Sequence, residues 1–277
     1  MGPGPARGSG RGRVAIRVLV TNDDGVHAPG ITALALAVAA AGYETVVVAP
    51  KDDSSGSGAA LGPVHLDQSF EYDTIAVPGL EDVPVYGVDG PPALCVLLAR
   101  LGGFGHPPDV VVSGINPGNN TGRAILHSGT VGAAMTGASF GVSGLAVSIG
   151  HSDELVHWDT AASFAVAALD WLVEAPARTI VNLNVPNVAR ADVAGVRMAR
   201  LAPFGTVRTV IVQSGEGRLD LELRDTDEEL APDTDTALVL AGYVAVTPLV
   251  GPRAAGDEVD VVQRLEGLVQ PAAGSEA

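Results

Sequence analysis

The chain has 277 residues, 47% of them hydrophobic and only 4% aromatic, so it can bury a sizeable core made mainly of Val, Ala, Gly and Leu. The formal net charge is −16 and Lys51 is the only lysine, which argues against DNA, RNA or another polyanion as a partner. Cys95 is the only cysteine, which excludes an internal disulfide and a cysteine-rich zinc site and agrees with a cytoplasmic location. Because no apolar run is long enough to span a bilayer, we expect no membrane partner.

Two terminal segments are predicted to lie outside the folded part of the chain. Residues 1–13 are mostly Gly, Pro and Arg and lack the apolar stretch of a secretory signal, so we expect a disordered extension. For residues 263–277 we expect the end of a helix followed by a disordered tail.

Strand-like and helix-like segments alternate between residues 14 and 186. The predicted strands are 17–21, 44–49, 109–113, 144–149 and 179–184. The predicted helices are 31–41, 92–101, 130–139 and 160–173. This alternation indicates βαβ units, and we therefore predict an α/β core with a mostly parallel sheet flanked by helices.

The pattern changes after Pro186, and residues 187–262 are predicted to be β-rich. Two alternating apolar runs, 207–212 and 219–223, are separated by a polar stretch with two glycines, which is typical of a hairpin. Residues 224–235 contain few apolar side chains and are predicted to be a loop.

An adjacent pair of acids, Asp23 and Asp24, follows the first predicted strand directly. In open α/β sheets, ligands bind just beyond the carboxyl ends of the strands. Two neighbouring carboxylates at that position can bind a hard divalent cation. The alternative is a solvated turn in which one Asp caps the following helix, and these four residues, Asn22 to Gly25, leave both interpretations open.

Three further polar segments follow predicted strands or open a predicted helix. They are the serine-rich loop 51–58, the Gly- and Asn-rich loop 114–122, and Ser128-Gly129-Thr130 at a predicted helix start. Each has an ordinary structural role as a connector, a turn cluster or an N-cap. However, parallel strands bring all of them to one edge, which favours a single site with oxygen ligands for Mg²⁺, Mn²⁺ or Ca²⁺ and a helix N-terminus for phosphate.

Six stretches of the sequence, in this order, resemble the SurE family of metal-dependent 5′/3′-nucleotidases. They are TNDDGVHAPGI, VVAPKDDSSGSG, VVSGINPGNNTG, HSGTVGAAMTG, NLNVP and TDTALVLAGYVAVTPL, which together are spread over most of residues 16–250. The resemblance implies a Rossmann-like core with a β-rich C-terminal portion, whose extended hairpin exchanges between subunits of a homodimer or homotetramer. It also implies hydrolysis of nucleoside 5′- and 3′-monophosphates with one divalent ion, Mg²⁺ or Mn²⁺ and less typically Ca²⁺.

The resemblance also assigns roles to individual residues. The metal ligands would be Asp23, Asp24, Ser55 and Asn116, with Ser54 as the neighbouring alternative to Ser55. Asn22 and Asp23 would be catalytic, with Asn22 orienting the acid pair or the substrate. The residues implied in phosphate binding are Asn119, Asn120, Ser128, Gly129 and Thr130.

Three departures from the family pattern leave room for other functions. Leu94 and Thr136 stand where many members have acids, and His127 replaces a tyrosine. A nucleotide-binding relative with weak or no turnover is therefore one alternative, and His127 is a candidate acid or base. Ser139 fits the Gly-x-Ser-x-Gly pattern of serine esterases, but it follows a predicted helix where that motif needs a strand.

Overall fold

The computed structural model describes residues 15–62, 64, 69–152, 154–205, 207–215, 217–225 and 230–253. The predicted terminal segments, 1–13 and 263–277, lie outside the described residues. Among the described residues, no helix has the length and apolar character needed to cross a bilayer.

The elements follow one another in a βα alternation and then in a β-rich portion. The strands are β1 (Arg17–Thr21), β2 (Glu44–Pro50), β3 (Tyr72–Thr74), β4 (Val85–Val88), β5 (Val110–Pro117), β6 (Ser143–Ile149), β7 (Ile180–Val185), β8 (Gly195–Met198), β9 (Val207–Gly215), β10 (Arg218–Asp225) and β11 (Tyr243–Leu249). The helices are α1 (Pro29–Ala40), α2 (Pro92–Arg100), α3 (Gly129–Ser139), α4 (Trp158–Leu172) and α5 (Asp235–Leu240), with 3-10 turns at Gly122–His127 and Arg190–Asp192.

The central sheet has the order β3-β4-β2-β1-β5-β6-β7-β11-β8. Neighbours from β4 to β7 run parallel, whereas β3 pairs antiparallel with β4 and β11 antiparallel with β7. The predicted mostly parallel sheet flanked by helices is thus confirmed. Strands β8 and β11, which follow Pro186, extend this same sheet rather than forming a separate one.

Alternate residues of β1 supply two hydrophobic clusters, one on each face of the sheet. Val18 and Val20 belong to the cluster that includes α1 and α4, whereas Leu19 packs with residues of α2 and α3. Covering on both faces explains why all five residues of β1 are buried. Gly144 of β6 permits close contact between the sheet and α3, because a Cβ there would lie 2.2 Å from the Ala134 carbonyl oxygen.

Strands β9 and β10 form the predicted hairpin as a separate two-stranded antiparallel sheet. Gly215 pairs with Arg218, so the connection is a tight turn. Ile211 is 61% exposed and Leu221 is 63% exposed, so the hairpin presents apolar side chains to its surroundings.

Candidate active site

The acid pair and the Gly-Asn loop leave neighbouring strands at the same edge of the sheet. Thr21 at the end of β1 is paired with Ser113 of β5, and the two strands run parallel. Residues 22–24 therefore emerge beside the last part of β5, which continues through Asn116. This edge is where a ligand of an open α/β sheet is expected.

The turn after the acid pair is fixed to the end of β2. The amide of Val26 donates to the Pro50 carbonyl over 2.8 Å. Gly25 has a φ of 98°, which favours glycine, and a Cβ there would lie 3.3 Å from the Lys51 carbonyl oxygen. The close approach brings loop 51–58 beside the acid pair.

Asp23 is a buried carboxylate held by the N-terminus of α3. Only 3% of the residue is exposed, and its Oδ1 accepts a hydrogen bond from the Thr130 hydroxyl. Its backbone carbonyl accepts from the Ser54 amide at 2.7 Å, which attaches the serine loop to it. Burial raises the pKa of Asp23, and hydrogen bonds from Thr130 and from the Gly129 backbone act in the opposite direction.

Asp24 is less deeply buried than Asp23, but neighbouring negative charges disfavour its ionised form. Burial, together with the negative charges of Asp23 and Asp53, raises the pKa of Asp24 to about 7. Its Oδ2 is buried and has no hydrogen-bond partner among the described residues, and the same is true of Oδ1 of Asn22. Buried oxygens without partners are costly, so they indicate a ligand for these atoms.

Neither acid caps the helix that follows the turn. The N-cap of α1 is Ala28, and no side chain makes the capping hydrogen bond there. The structure thus removes the interpretation of the pair as a solvated turn with an Asp cap on α1, because Asp23 is buried and bonded to α3 instead.

The serine loop packs between the acid pair and the segment before α3. The Gly58 amide donates to the His127 carbonyl at 3.1 Å, which closes the loop against that segment. Ser55 is exposed, and its hydroxyl and amide donate to Asp53 Oδ1 at 2.6 and 2.8 Å. These two bonds lower the pKa of Asp53, so that carboxylate stays ionised beside the site.

A cavity of about 440 Å³ opens beside this loop. It is lined by Lys51, Asp52, Ser55 and Ser57 on one side and by Asp89 and Pro91 on the other. Ser57 connects the cavity to the acid pair, because a Cβ on Gly129 would lie 2.7 Å from Ser57 Oγ and 2.8 Å from Asp23 Oδ2.

Asn116 and Asn119 place side-chain amides near the end of β5. Nδ2 of Asn116 donates to the Gly118 carbonyl at 2.7 Å, which leaves its side-chain oxygen as the available ligand atom. Oδ1 of Asn119 is buried without a partner among the described residues. No hydrogen bond joins either residue to the acid pair.

Asn120 is held by polar side chains of the neighbouring strands. The side-chain amides of Asn182 and Asn184 in β7 both donate to the backbone carbonyl of Asn120, at 2.8 and 2.9 Å. The backbone amide of Asn120 donates to Asn184 Oδ1 at 2.9 Å. Its side-chain amide donates to Ser148 of β6. This network fixes the loop that carries the two candidate phosphate ligands.

The N-terminus of α3 is capped in a way that leaves the Ser128 hydroxyl as a donor for an anion. Ser128 Oγ accepts from the Val131 amide at 3.1 Å, so its own proton is available to donate. Gly129 stands where a Cβ would meet Asp23 at 2.7 Å, so only glycine permits this approach. The predicted phosphate segment and the acid pair are therefore in direct contact.

The donor chemistry of the site fits a hard divalent cation. Among the described residues, no group of three or more His, Cys, Asp or Glu side chains is arranged to hold a metal. A metal at the acid pair would then have to use hydroxyl and amide oxygens as further ligands. Mg²⁺, Mn²⁺ and Ca²⁺ prefer such oxygen sets.

Three supporting residues were not singled out individually from the sequence. Asn182 and Asn184 are polar residues in the fully buried strand β7, and their spacing of two is the signal that both face one partner. Asp235, at the start of α5, is completely buried. Its neighbours Thr234 and Thr236 are buried too, and this burial is visible only in the structure.

The residues that suggested other functions, Ser139, Thr136 and Leu94, occupy structural positions. Ser139 is the last residue of α3 and donates to the Thr136 carbonyl at 2.7 Å, and no strand leads into it. The Thr136 hydroxyl itself donates to the Gly132 carbonyl, and Leu94 is buried in α2. The side chain of His127 is exposed.

Comparison with known proteins places these motifs in a family. The family described as "Survival protein SurE" matches residues 18–205. A relative from Xanthomonas campestris, named 5′-nucleotidase SurE, is 39% identical over 240 residues, which cover 84% of this chain and 89% of that protein. A Cronobacter sakazakii relative, named 5′/3′-nucleotidase SurE, is 39% identical over 255 residues, which cover 90% of this chain and 96% of that protein.

A solved structure agrees with the sequence match. The SurE protein from Aquifex aeolicus superimposes with a TM-score of 0.74 at 30% identity, covering 90% of this chain and 99% of that one. The chain therefore belongs to the SurE family.

Proposed function

We propose that this protein is a metal-dependent phosphomonoesterase that hydrolyses nucleoside 5′- and 3′-monophosphates to nucleoside and phosphate. The names of the relatives from Xanthomonas campestris and Cronobacter sakazakii support this activity. The observation that carries the proposal is the adjacent pair of buried Asp23 and half-buried Asp24, with Asp23 in contact with the N-terminus of α3. It joins acids suited to a cation with donors suited to a phosphate.

In this proposal Asp23, Asp24, Ser55 and Asn116 hold one divalent ion, Mg²⁺ or Mn²⁺. A bound divalent ion supplies Lewis-acid polarisation of a phosphoryl oxygen and lowers the pKa of water. The Thr130 hydroxyl and the Gly129 backbone keep the Asp23 carboxylate in one orientation.

The remaining site residues would bind and orient the phosphate group. Ser128, at the N-terminus of α3, donates its free hydroxyl proton to a phosphoryl oxygen. Asn119 and Asn120 contribute from the loop after β5, which the asparagines of β7 hold in place. Asn22, whose amide donates to the Gly25 carbonyl at 2.9 Å, fixes the turn that carries the acid pair.

We also propose that the protein forms a homodimer or homotetramer through the β9–β10 hairpin. The exposed Ile211 and Leu221 support this, because an isolated two-stranded hairpin is marginally stable in water and needs a surface to pack on. The cytoplasmic location stays a prediction.

One panel of substrates separates this proposal from its alternatives. Nucleoside 5′- and 3′-monophosphates, p-nitrophenyl phosphate and a p-nitrophenyl ester are assayed with Mg²⁺ and with chelator. We expect metal-dependent hydrolysis of the phosphates alone. Nucleotide binding without turnover would identify a binding protein, and metal-independent cleavage of the ester that Ser139→Ala removes would identify a serine esterase.

A further inference from the structure

The buried carboxylate of Asp235 joins three separate backbone segments. Its Oδ1 accepts hydrogen bonds from the amides of Ala202 and Thr236, at 2.9 and 2.8 Å. Its Oδ2 accepts from the amide of Gly122 at 2.9 Å, across 113 residues of sequence. The residue is 0% exposed, so these bonds satisfy a group that would be costly to bury alone.

Gly122 lies between the two groups of proposed phosphate-binding residues. Asn119 and Asn120 precede it, and the 3-10 turn that begins at Gly122 leads directly into Ser128 and α3. Gly122 has a φ of 62°, and a Cβ there would lie 2.3 Å from the Phe204 carbonyl oxygen. Its backbone is therefore packed against the segment that leads into the hairpin.

The segment that contains Arg200 and Phe204 is also hydrogen-bonded to α5. The Thr236 hydroxyl donates to the Phe204 carbonyl at 2.9 Å, and the Asp235 amide donates to the Arg200 carbonyl at 2.9 Å. Strand β9 begins only three residues after Phe204. The base of the hairpin and the phosphate loop thus share one buried anchor.

We propose that Asp235 is a positioning residue that sets the phosphate-binding loop from behind and couples it to the base of the hairpin. This inference rests on the proposed function, because it concerns phosphate bound near Asn119, Asn120 and Ser128. The hydrogen bonds to the Asp235 carboxylate come from the backbone amides of Gly122, Ala202 and Thr236 and from none of the four proposed metal ligands, so its expected effect is on phosphate placement.

Asp235→Asn is the informative variant, because it removes one acceptor at nearly constant shape. In Asp235, Oδ1 accepts two hydrogen bonds and Oδ2 accepts one, so the amide oxygen of Asn should take the Oδ1 position. The amide nitrogen then faces the N–H of Gly122, and only the bond to the phosphate loop is lost. Asp233→Asn is the matched control: it makes the same charge change two residues away, on an exposed carboxylate paired with Arg200 at 2.7 Å.

The experiment measures the inhibition constant of inorganic phosphate, together with KM, kcat and the Mg²⁺ activation constant. For Asp235→Asn we expect the inhibition constant and KM to rise roughly tenfold, because small misplacements of binding groups are costly. The Mg²⁺ activation constant should stay unchanged. Asp233→Asn should keep all constants within about twofold of wild type.

A folded Asp235→Asn protein with a lower melting temperature but wild-type phosphate inhibition would overturn the inference, since a purely structural role predicts that result. If the variant does not fold, the test is the hydrogen-exchange rate of the Gly122 backbone amide in the wild-type protein, which reports whether its bond to Asp235 persists. Slow exchange, as in the core strands, supports the anchor, and exchange as fast as in exposed loops overturns it. A wild type that hydrolyses no phosphomonoester would instead overturn the proposed function, whereas an active wild type with an unchanged Asp235→Asn would overturn this inference alone.

Discussion

Replacing Asp24 with Asn should stabilise the metal-free protein and at the same time abolish its activity. Burial and the charges of Asp23 and Asp53 raise the pKa of Asp24 to about 7, from an ordinary value of 3.8. The substitution keeps the shape of the side chain but removes the charge. The folded protein then no longer has to ionise a buried carboxyl beside two other acids.

The size and the sign of the effect follow from these two pKa values. Between about pH 4 and pH 7 the folded state keeps a proton on Asp24 that the unfolded state has lost, so the free energy of unfolding falls as the pH rises. Because one pKa unit corresponds to about 1.4 kcal/mol, the total loss above pH 7 is on the order of 4 kcal/mol. Asp24→Asn should recover an amount of that order above pH 7 and very little near pH 4.

The assay is urea unfolding in chelator at about pH 4.5 and pH 8, with AMP hydrolysis measured separately at saturating Mg²⁺. The matched control is Asp52→Asn in the adjacent loop, an exposed carboxylate whose replacement should change stability by less than about 0.5 kcal/mol at either pH. If wild type and Asp24→Asn have the same pH dependence of stability, the electrostatic description of the acid pair is incorrect. Near-wild-type turnover by Asp24→Asn would contradict its proposed role as a metal ligand.

Three further predictions concern the helix terminus, the hairpin and the metal. Gly129→Ala should reduce activity by roughly tenfold or more, because its Cβ would meet Asp23 at 2.7 Å and displace it; Gly251→Ala, whose Cβ would meet only Ile180 at 3.7 Å, is the control, and equal activity of the two variants would contradict the contact. Deletion of residues 207–223 should give monomers in sedimentation and lower activity, because the hairpin is proposed to span the subunit interface; wild-type protein that sediments as a monomer at micromolar concentration would refute the assembly. Activity should vanish in EDTA and return with Mg²⁺ or Mn²⁺, since the proposed ligands are all oxygens; full activity in chelator after exhaustive dialysis would exclude the metal mechanism.

Most of the parallel core was predictable because β1, β2, β5, β6 and β7 are rich in apolar residues and lie between turn signals, whereas β4, with only four residues, was missed. β1 is found with the predicted bounds, whereas β5 runs on to Pro117, four residues beyond the apolar stretch. β3 was missed because it consists of three exposed residues, whose pairing with β4 is a tertiary effect. The helix α5 was missed because it is only six residues long.

The motifs predicted which residues gather at one edge of the sheet but not which of them touch. The bond from Thr130 to Asp23 joins residues 107 positions apart, and the bond from Gly122 to Asp235 joins residues 113 positions apart. Such pairings depend on how α3 and α5 pack on the sheet, which no local sequence signal encodes. For the same reason, the raised pKa of Asp24 became visible only once the structure showed its burial and its closeness to the charges of Asp23 and Asp53.

The most direct test of the central claim is the turnover of AMP by Asp23→Asn at saturating Mg²⁺. An Asn at this position can still accept the hydrogen bond from Thr130, so the contact with α3 and the fold should persist. If Asp23 is a metal ligand, as we propose, turnover should fall by roughly a hundredfold or more while the protein melts near the wild-type temperature. Turnover close to that of wild type would show that Asp23 only anchors α3, and would contradict the account.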